Sequence, residues 1–140
     1  MIPLDEMRDV KDFEGMDPKM LEKLADIGEV VSVPTGTYLF REGDHAEYYY
    51  ILREGKVVLE FRQAEGLVYT ETVSPGMGVG CSSLAGLTAY MSDGRCEEPS
   101  ELLRWPQSEL RHLFNQHERL GYMMMKACAM SFHERIGGKL

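Results

Sequence analysis

The chain has 140 residues, 44% of them hydrophobic, and a formal net charge of −8 with a sequence pI near 5.0. This length suits one compact domain, 1–140, that buries enough apolar surface to fold alone. The acidic balance and the lack of a basic cluster predict no nucleic-acid partner, because DNA and RNA binding depends on Lys and Arg contacts to phosphate. The most apolar run, 121–130, is too short to span a bilayer and carries Lys126, so we expect no membrane association.

The cysteines and the N-terminus indicate an intracellular protein. Cys81, Cys96 and Cys128 are odd in number, widely spaced and without a Cys-x-x-Cys pair, so the simplest interpretation is three reduced thiols packed as small hydrophobic side chains. Residues 1–14 are rich in Asp and Glu and lack the apolar segment of a secretory signal, and the acidic residues from Asp5 to Glu14, like Glu97 and Glu98, are interpreted as solvated faces. Together these features predict a cytoplasmic protein.

A short helix is predicted to open the fold. Asp17 can cap the free N–H groups of a helix start, and Pro18 at the first helical position loses no hydrogen bond. Apolar residues then recur at helical spacing at Met20, Leu21, Leu24 and Ile27. The pattern predicts an amphipathic helix that ends before the first strand.

Short extended segments follow, separated by turns. Residues of β-branched and aromatic type are concentrated at 30–33, 38–40, 48–52, 57–61 and 68–73, with turn residues between these segments. Two further strands are predicted at 88–96 and 100–105. Short strands at this regular spacing predict an antiparallel sandwich or barrel over about 29–105.

The C-terminal part, about 106–136, is predicted to be a pair of helices. Leu110, Leu113 and Phe114 mark the first helix. After a break near Gln116, a second and longer helix ends before Gly137 and carries a stripe made of Leu120, Met123, Met124, Ala127, Met130 and Ser131. Part of this stripe is expected to pack on the β-structure, and its small residues would let a second helix approach closely.

Residues 73–92 form a segment without any ionised side chain. Glycines and small hydroxyl residues let backbone N–H groups approach a ligand closely, and a short helix beginning near Gly80 would direct its positive end toward an anion. The segment has no Arg or Lys to hold a phosphate and no carboxylate to hold a sugar hydroxyl. It therefore has the backbone of a phosphate cradle without the charges.

The order of glycines, aromatic residues and helices resembles a known family. The residues that carry this resemblance are Gly36, Leu39, Phe40, Glu42, Gly43, Asp44, Tyr50, Ile51, Leu52, Gly55, Val57, Pro75, Gly76 and Gly80. With the closing helices, they resemble the cyclic-nucleotide-binding domain of the catabolite-activator and fumarate-nitrate-regulator (Crp/Fnr) family, over about residues 18–136. The resemblance implies a mainly β fold with flanking helices: a double-stranded β-helix, or cupin-like jelly-roll β-roll, with an N-terminal helix and a C-terminal helical pair.

In that family the segment inserted into the β-roll here is a phosphate-binding cassette with a Glu near its start and an Arg near its end. Here Gly80 and Thr88-Ala89 match, but Cys81 replaces the Glu and Leu87 replaces the Arg. Losing two charge-assisted contacts would weaken a cyclic nucleotide by about a hundredfold or more. Arg95 is the nearest cation that would substitute. The resemblance assigns ligand binding to Gly80, Cys81, Ser82, Ser83, Leu84, Leu87, Thr88 and Ala89.

Two interpretations of the cassette stay open. In one, its amides and hydroxyls bind a small effector, either a cyclic nucleotide such as cAMP or cGMP or another compound. In the other, Leu84 and Leu87 fill the pocket. The resemblance also implies that the last helix closes over the ligand and pairs with its twin in a homodimer, through the stripe of Leu120, Met123, Met124, Ala127, Met130 and Ser131.

The leading hypothesis is a stand-alone, non-enzymatic sensor that binds an effector and signals through its last helix to a downstream protein. The chain ends at Leu140, directly after that helix, so we expect no DNA-binding domain. The alternative is a ligand-free dimeric interaction or scaffold protein. A third hypothesis, haem or redox sensing, relies on Cys81, Cys128 and His112. No His pattern predicts a metal site, and no nucleophile, base and orienting residue occur at catalytic spacing.

Overall fold

Two four-stranded antiparallel sheets form the centre of this computed structural model, which describes residues 1–137. One sheet has the order β1-β8-β3-β6, with β1 at Glu29–Val33, β8 at Ser100–Pro106, β3 at Tyr48–Glu54 and β6 at Gly78–Val79. The other has the order β2-β7-β4-β5, with β2 at Tyr38–Phe40, β7 at Asp93–Cys96, β4 at Val57–Arg62 and β5 at Val68–Val73. The predicted β-roll is confirmed.

Helices lie at both ends of the β-roll and within it. The chain begins with α1 at Leu4–Arg8, a 3-10 turn at Lys11–Phe13 and α2 at Pro18–Ile27; α3 at Cys81–Leu84 lies between β6 and β7, and α4 at Gln107–Gln116 and α5 at Glu118–Ile136 follow β8. Asp17 caps α2 by accepting a hydrogen bond from Lys19 N at 2.8 Å, as predicted. None of the helices in residues 1–137 has the length and apolar character needed to cross a bilayer.

Trp105 joins the β-roll to the N-terminal helices. Its side chain is fully buried, and its Nε1 donates a hydrogen bond to the Leu24 carbonyl at 2.9 Å. The ring of Phe13 packs edge-on against it, with the ring centroids 6.1 Å apart. Gly28 lies so close that a Cβ there would be 2.5 Å from Trp105 Nε1. This close approach explains a glycine at the end of α2, and it fixes the helix against the sheet.

The N-terminal segment contributes to the core, which its acidic composition did not predict. Its charged residues Asp5, Asp9 and Glu14 are exposed, but the apolar residues between them are buried: Ile2, Met7, Val10, Phe13 and Met16. Ile2 N also donates a hydrogen bond to the Ala25 carbonyl at 2.9 Å. The apolar residues follow no single helical period, because the chain passes from α1 into a 3-10 turn.

The strand predicted at 88–96 is shorter than expected and covers only β7. Residues 88–92 are held by the loop around residue 45: Ala46 N donates to the Thr88 carbonyl at 2.9 Å, and Tyr90 N donates to the Asp44 carbonyl at 3.0 Å. The ring of Tyr90 points inward and stacks on Phe40, with centroids 3.9 Å apart. The prediction was wrong here because a buried aromatic residue in a loop, such as Tyr90, cannot be told from a buried aromatic residue in a strand by sequence alone. Strand β6 was missed, since two residues give no alternation.

Candidate ligand-binding site between the cassette and the last helix

A left-handed glycine begins the cassette, which we define as residues 80–89. Gly80 has φ 84° and ψ 44°, a conformation that L side chains rarely adopt. A Cβ there would lie 3.1 Å from Tyr90 Cε1 and 3.2 Å from the Tyr48 carbonyl oxygen. Helix α3 follows directly, and no side chain within residues 1–137 caps its start. Ser83 N donates to the Gly80 carbonyl at 3.0 Å, so it is the amides before Ser83 that depend on another acceptor.

The side chains of α3 point into the protein. Ser82, Ser83 and Leu84 are buried, and Ser83 is only 1% exposed. The Ser83 hydroxyl has no hydrogen-bond partner in the described part of the chain. Buried hydroxyl groups nearly always have one, so this is an unsatisfied polar group. Leu84 packs in the same apolar cluster as Trp105 and Leu120, and it anchors α3 to the core.

The far end of the cassette faces the solvent. Leu87 is 56% exposed, so it does not fill a pocket, and Thr88 and Ala89 are also exposed. Gln107, the first residue of α4, donates hydrogen bonds from Nε2 to the Ser83 carbonyl at 3.1 Å and to the Leu87 carbonyl at 3.0 Å. Helix α4 therefore fixes the cassette through its backbone.

A buried arginine from α5 lies beside the start of the cassette. The side chain of Arg135 is 4% exposed, and its Nε lies 3.5 Å from Oε2 of Glu71, whose side chain is 1% exposed. Arg135 Nη1 donates a hydrogen bond to the Gly78 carbonyl at 3.3 Å, two residues before Gly80. Neither Arg135 Nε nor Glu71 Oε2 has a hydrogen-bond partner among residues 1–137. A cation and a carboxylate thus adjoin a cassette whose own sequence has neither.

Arg95, the substitute cation considered from the sequence, is engaged elsewhere. Its Nε pairs with Glu60 at 3.2 Å and its Nη2 with Glu97 at 3.6 Å. Sequence reasoning missed Arg135 and Glu71. The available signals were that Arg135 lies one helical turn after Ser131 on the apolar face of α5, and that Glu71 alternates in phase with the buried Val73 on β5.

Two of the three cysteines meet at this site. Cys81 on α3 and Cys128 on α5 pack in the same apolar cluster as Trp105, close enough for a hydrogen bond between the thiols to act on the pKa of each. This hydrogen bond, together with the charge of Arg135, lowers the pKa of Cys81 to about 7 against the opposing effect of burial. The same hydrogen bond and burial raise the pKa of Cys128. His112, the third residue considered for haem or redox sensing, is exposed on α4. Residues 1–137 contain no group of three or more His, Cys, Asp or Glu side chains that could hold a metal ion.

The residues of the stripe predicted on α5 lie in two different environments, the protein core and an open groove. Leu120, Met124 and Ser131 are buried against the same chain. A groove of about 550 Å³ lies between α5, the 3-10 turn and the β5–β6 connection, and its α5 lining includes Met123, Ala127, Met130 and Ser131. The cassette residues do not line this groove. Only part of the predicted ligand-closing stripe therefore faces an open space, and that space is separate from the cassette.

An unusual carboxylate lies at the edge of the groove. Burial, with a smaller effect from Glu134, raises the pKa of Asp12 to about 6, while Lys11 and a hydrogen bond from Ser131 oppose the shift. Lys11 Nζ also pairs with Glu134 at 3.1 Å, which connects the 3-10 turn to α5. The contact between the N-terminal segment and α5 therefore contains a group that titrates near neutrality.

Residues 30–117 match the cyclic nucleotide-binding domain family. The match covers more than half of the chain, from β1 through the cassette to α4, and the chain belongs to this family. No curated protein matches the sequence of the chain.

Three solved structures are similar over most of the chain. A protein of Geobacter metallireducens GS-15 named for cyclic nucleotide binding has a TM-score of 0.85 and 29% identity, with 97% of this chain and 99% of that one covered. The catabolite activator protein of Thermus thermophilus has a TM-score of 0.75 and 22% identity, with 88% of this chain and 58% of that one covered. The N-terminal domain of a transcriptional regulator from Streptomyces coelicolor A3(2) has a TM-score of 0.73 and 23% identity, with 97% of this chain and 96% of that one covered. The predicted cyclic nucleotide-binding domain is confirmed by the family match, and the solved structures have the same fold.

The raised pKa of Asp12 predicts a pH-dependent stability. Because the folded state holds this proton more tightly than an unfolded Asp with a pKa near 3.8, the contribution of Asp12 to stability is complete below that value and is lost as the pH rises through about 6. We expect Asp12→Asn to raise the melting temperature at pH 8 by about 2–4 °C and to flatten its dependence between pH 4 and 7. Calorimetric melting across this range measures both effects. Asp9→Asn, an exposed carboxylate with the same change in charge, is the control, and an equal shift there would contradict the assignment.

Proposed function

We propose that this chain is a non-enzymatic regulatory module that binds a small anionic effector between the cassette and the C-terminal end of α5. The observation that supports this proposal is the buried pair of Arg135 and Glu71, which adjoins the cassette and leaves one nitrogen and one oxygen without hydrogen bonds. The unsatisfied hydroxyl of Ser83 lies on the cassette itself. Arg135 Nε and Glu71 Oε2 are in ionic contact with each other at 3.5 Å but make no hydrogen bond, and the Ser83 hydroxyl makes none either, so a ligand that offers hydrogen bonds would satisfy all three atoms.

Arg135 and Glu71 would replace the two charges that the cassette lacks. A phosphate oxygen would accept hydrogen bonds from Arg135 Nε and from the first amides of α3, and a sugar hydroxyl would donate to Glu71 Oε2. A hydrogen bond to a charged group contributes about 1.5–3 kcal/mol. Two such contacts compensate for the Cys81 and Leu87 replacements, so cyclic AMP and cyclic GMP are the first effectors to test.

The position of Arg135 also suggests how binding would be transmitted. Arg135 lies in the last turn of α5, and its contacts to Glu71 and to the Gly78 carbonyl hold this turn on the β-roll. A ligand that draws the guanidinium toward the cassette would shift α5, to the extent that it binds the two helix positions with different affinity. A downstream protein would then detect the position of α5.

We further propose that the chain is one domain, with a β-roll over about 29–105 and closing helices over about 106–136, and that it works in the cytoplasm. All three cysteines are free thiols, which fits a reducing compartment.

Isothermal titration calorimetry with cyclic AMP and cyclic GMP tests the proposed site. We expect micromolar binding that weakens by about tenfold or more in Arg135→Gln and in Ser82→Ala/Ser83→Ala, because each variant removes contacts to the anion. The double variant Glu71→Gln/Arg135→Gln avoids leaving a buried carboxylate unpaired, and it should fold and also lose affinity. Arg95→Gln is the matched control and should bind normally. An absence of heat at millimolar nucleotide, or equal losses in Arg95→Gln and Arg135→Gln, would contradict the proposal.

A second candidate function, a homodimeric interaction protein, is favoured by the outer face of α5. Three large side chains on this face are exposed, Tyr122, Met125 and Phe132, and the small Ala129 lies between them. Their spacings of three, four and three residues are those of a coiled-coil seam. A second copy of α5 would present the same seam across a two-fold axis. This seam uses different residues from the stripe predicted from the sequence, much of which packs inside the chain.

Light scattering coupled to size-exclusion chromatography tests the seam. We expect a dimer for the native chain and a monomer for Tyr122→Glu/Met125→Glu, since two like charges would face each other across the axis. Met91→Glu introduces the same charge at an exposed methionine away from α5, and it should leave the dimer intact. A monomeric native chain, or a dimer that survives the double substitution, would exclude this interface.

A further inference from the structure

The contact between Cys81 and Cys128 connects the cassette to α5. Cys81 is the first residue of α3, immediately after the left-handed Gly80, and it is partly exposed. Cys128 lies in the middle of α5 and is buried. Both side chains pack in the apolar cluster around Trp105, and the two thiols are neighbours without a covalent link. Elements far apart in the sequence thus place one accessible and one protected thiol side by side.

The surroundings make the two thiols chemically unequal. Arg135 lies close enough to Cys81 to hydrogen-bond with its sulfur and to stabilise a thiolate. The other titratable groups around the pair are Asp12 on the 3-10 turn and the phenol of Tyr49 on β3, and both disfavour a negative sulfur. The balance lowers the pKa of Cys81 and raises that of Cys128. Cys81 therefore has the properties of a thiol that attacks a peroxide, whereas Cys128 stays protonated and would act as the second thiol because of its position beside Cys81.

We propose that Cys81 and Cys128 form a peroxide-sensitive dithiol that reversibly cross-links the cassette to α5. In the first step the Cys81 thiolate attacks one oxygen of a hydroperoxide, the O–O bond breaks, and the departing alkoxide takes up a proton to leave as an alcohol, or as water when the oxidant is hydrogen peroxide. Cys81 is now a sulfenic acid. In the second step the sulfur of Cys128 attacks the sulfur of Cys81, the S–O bond breaks, and the hydroxide leaves as water with the Cys128 proton.

The net reaction oxidises two thiols to one disulfide and reduces one peroxide, a transfer of two electrons. A thiol reductant reverses it. The disulfide would fix α5 against α3 and prevent the helix from changing position. This inference does not depend on the proposed effector, because it requires only the two thiols and Arg135.

Stoichiometric hydrogen peroxide followed by non-reducing peptide mapping of the full chain tests the dithiol. We expect one cross-linked pair of peptides that contain Cys81 and Cys128, with the mass of two hydrogens lost, and reversal by dithiothreitol. In Cys128→Ala the reaction should stop at a sulfenic acid on Cys81, trapped by dimedone. Cys81→Ala should remove both products. Cys96→Ala is the matched control, since Cys96 is buried on β7 beside Ser100, and it should not change the cross-link.

The pH dependence of the rate tests the role of Arg135 as a positioning residue. Loss of Cys81 thiol should follow a titration with a midpoint near pH 7, and Arg135→Gln should move this midpoint upward. Glu71→Gln/Arg135→Gln should give the same shift and rules out an effect of an unpaired Glu71. The proposal is overturned if Cys81 stays reduced while Cys96 oxidises, if sulfenic acid accumulates on Cys81 in the native chain without a cross-link, or if the midpoint is unchanged in both variants.

Discussion

A buried ion pair holds the C-terminal end of α5 on the β-roll. Apolar packing through Leu120 and Met124 holds the first half of the helix, and the contact between Arg135 and Glu71 holds its end. Burial of two charges offsets most of their attraction, but removing one partner leaves an uncompensated charge and costs about 3–5 kcal/mol. We infer that the pair contributes little net stability and mainly fixes the position of the helix end. A ligand that satisfies the same atoms would compete directly with the contact that positions the helix.

The N-terminal segment and Trp105 pack in the same apolar core as α5. Phe13 packs against Trp105 and belongs to the same apolar cluster as Cys128 on α5. Asp12, the preceding residue, faces Glu134 on α5. The first residues of the chain are therefore a support for the last helix. Changes at α5 would be transmitted both to the cassette and to this support.

Much of the fold could be predicted from the sequence, because the strands are marked by runs of β-branched and aromatic residues, and the start of α2 is marked by its capping residue, Asp17. The buried residues of the N-terminal segment had no such signal, because the spacing between apolar residues changes where the chain passes from α1 into the 3-10 turn. The backbone of the cassette was also predictable from Gly80, but its charged neighbours were not. Glu71 and Arg135 come from distant elements, and only the folded chain brings them beside Gly78. The pairing of Cys81 with Cys128 depends on the same long-range packing.

We propose that a ligand at the cassette changes the position of α5 through Arg135. Hydrogen–deuterium exchange of the full chain, with and without millimolar cyclic AMP, detects this change in both segments at once. Slower exchange at 78–90 and altered exchange at 128–136 are expected when the nucleotide is added, with both changes absent in Glu71→Gln/Arg135→Gln. Protection at 78–90 without any change at 128–136, or no change in either segment, would contradict it.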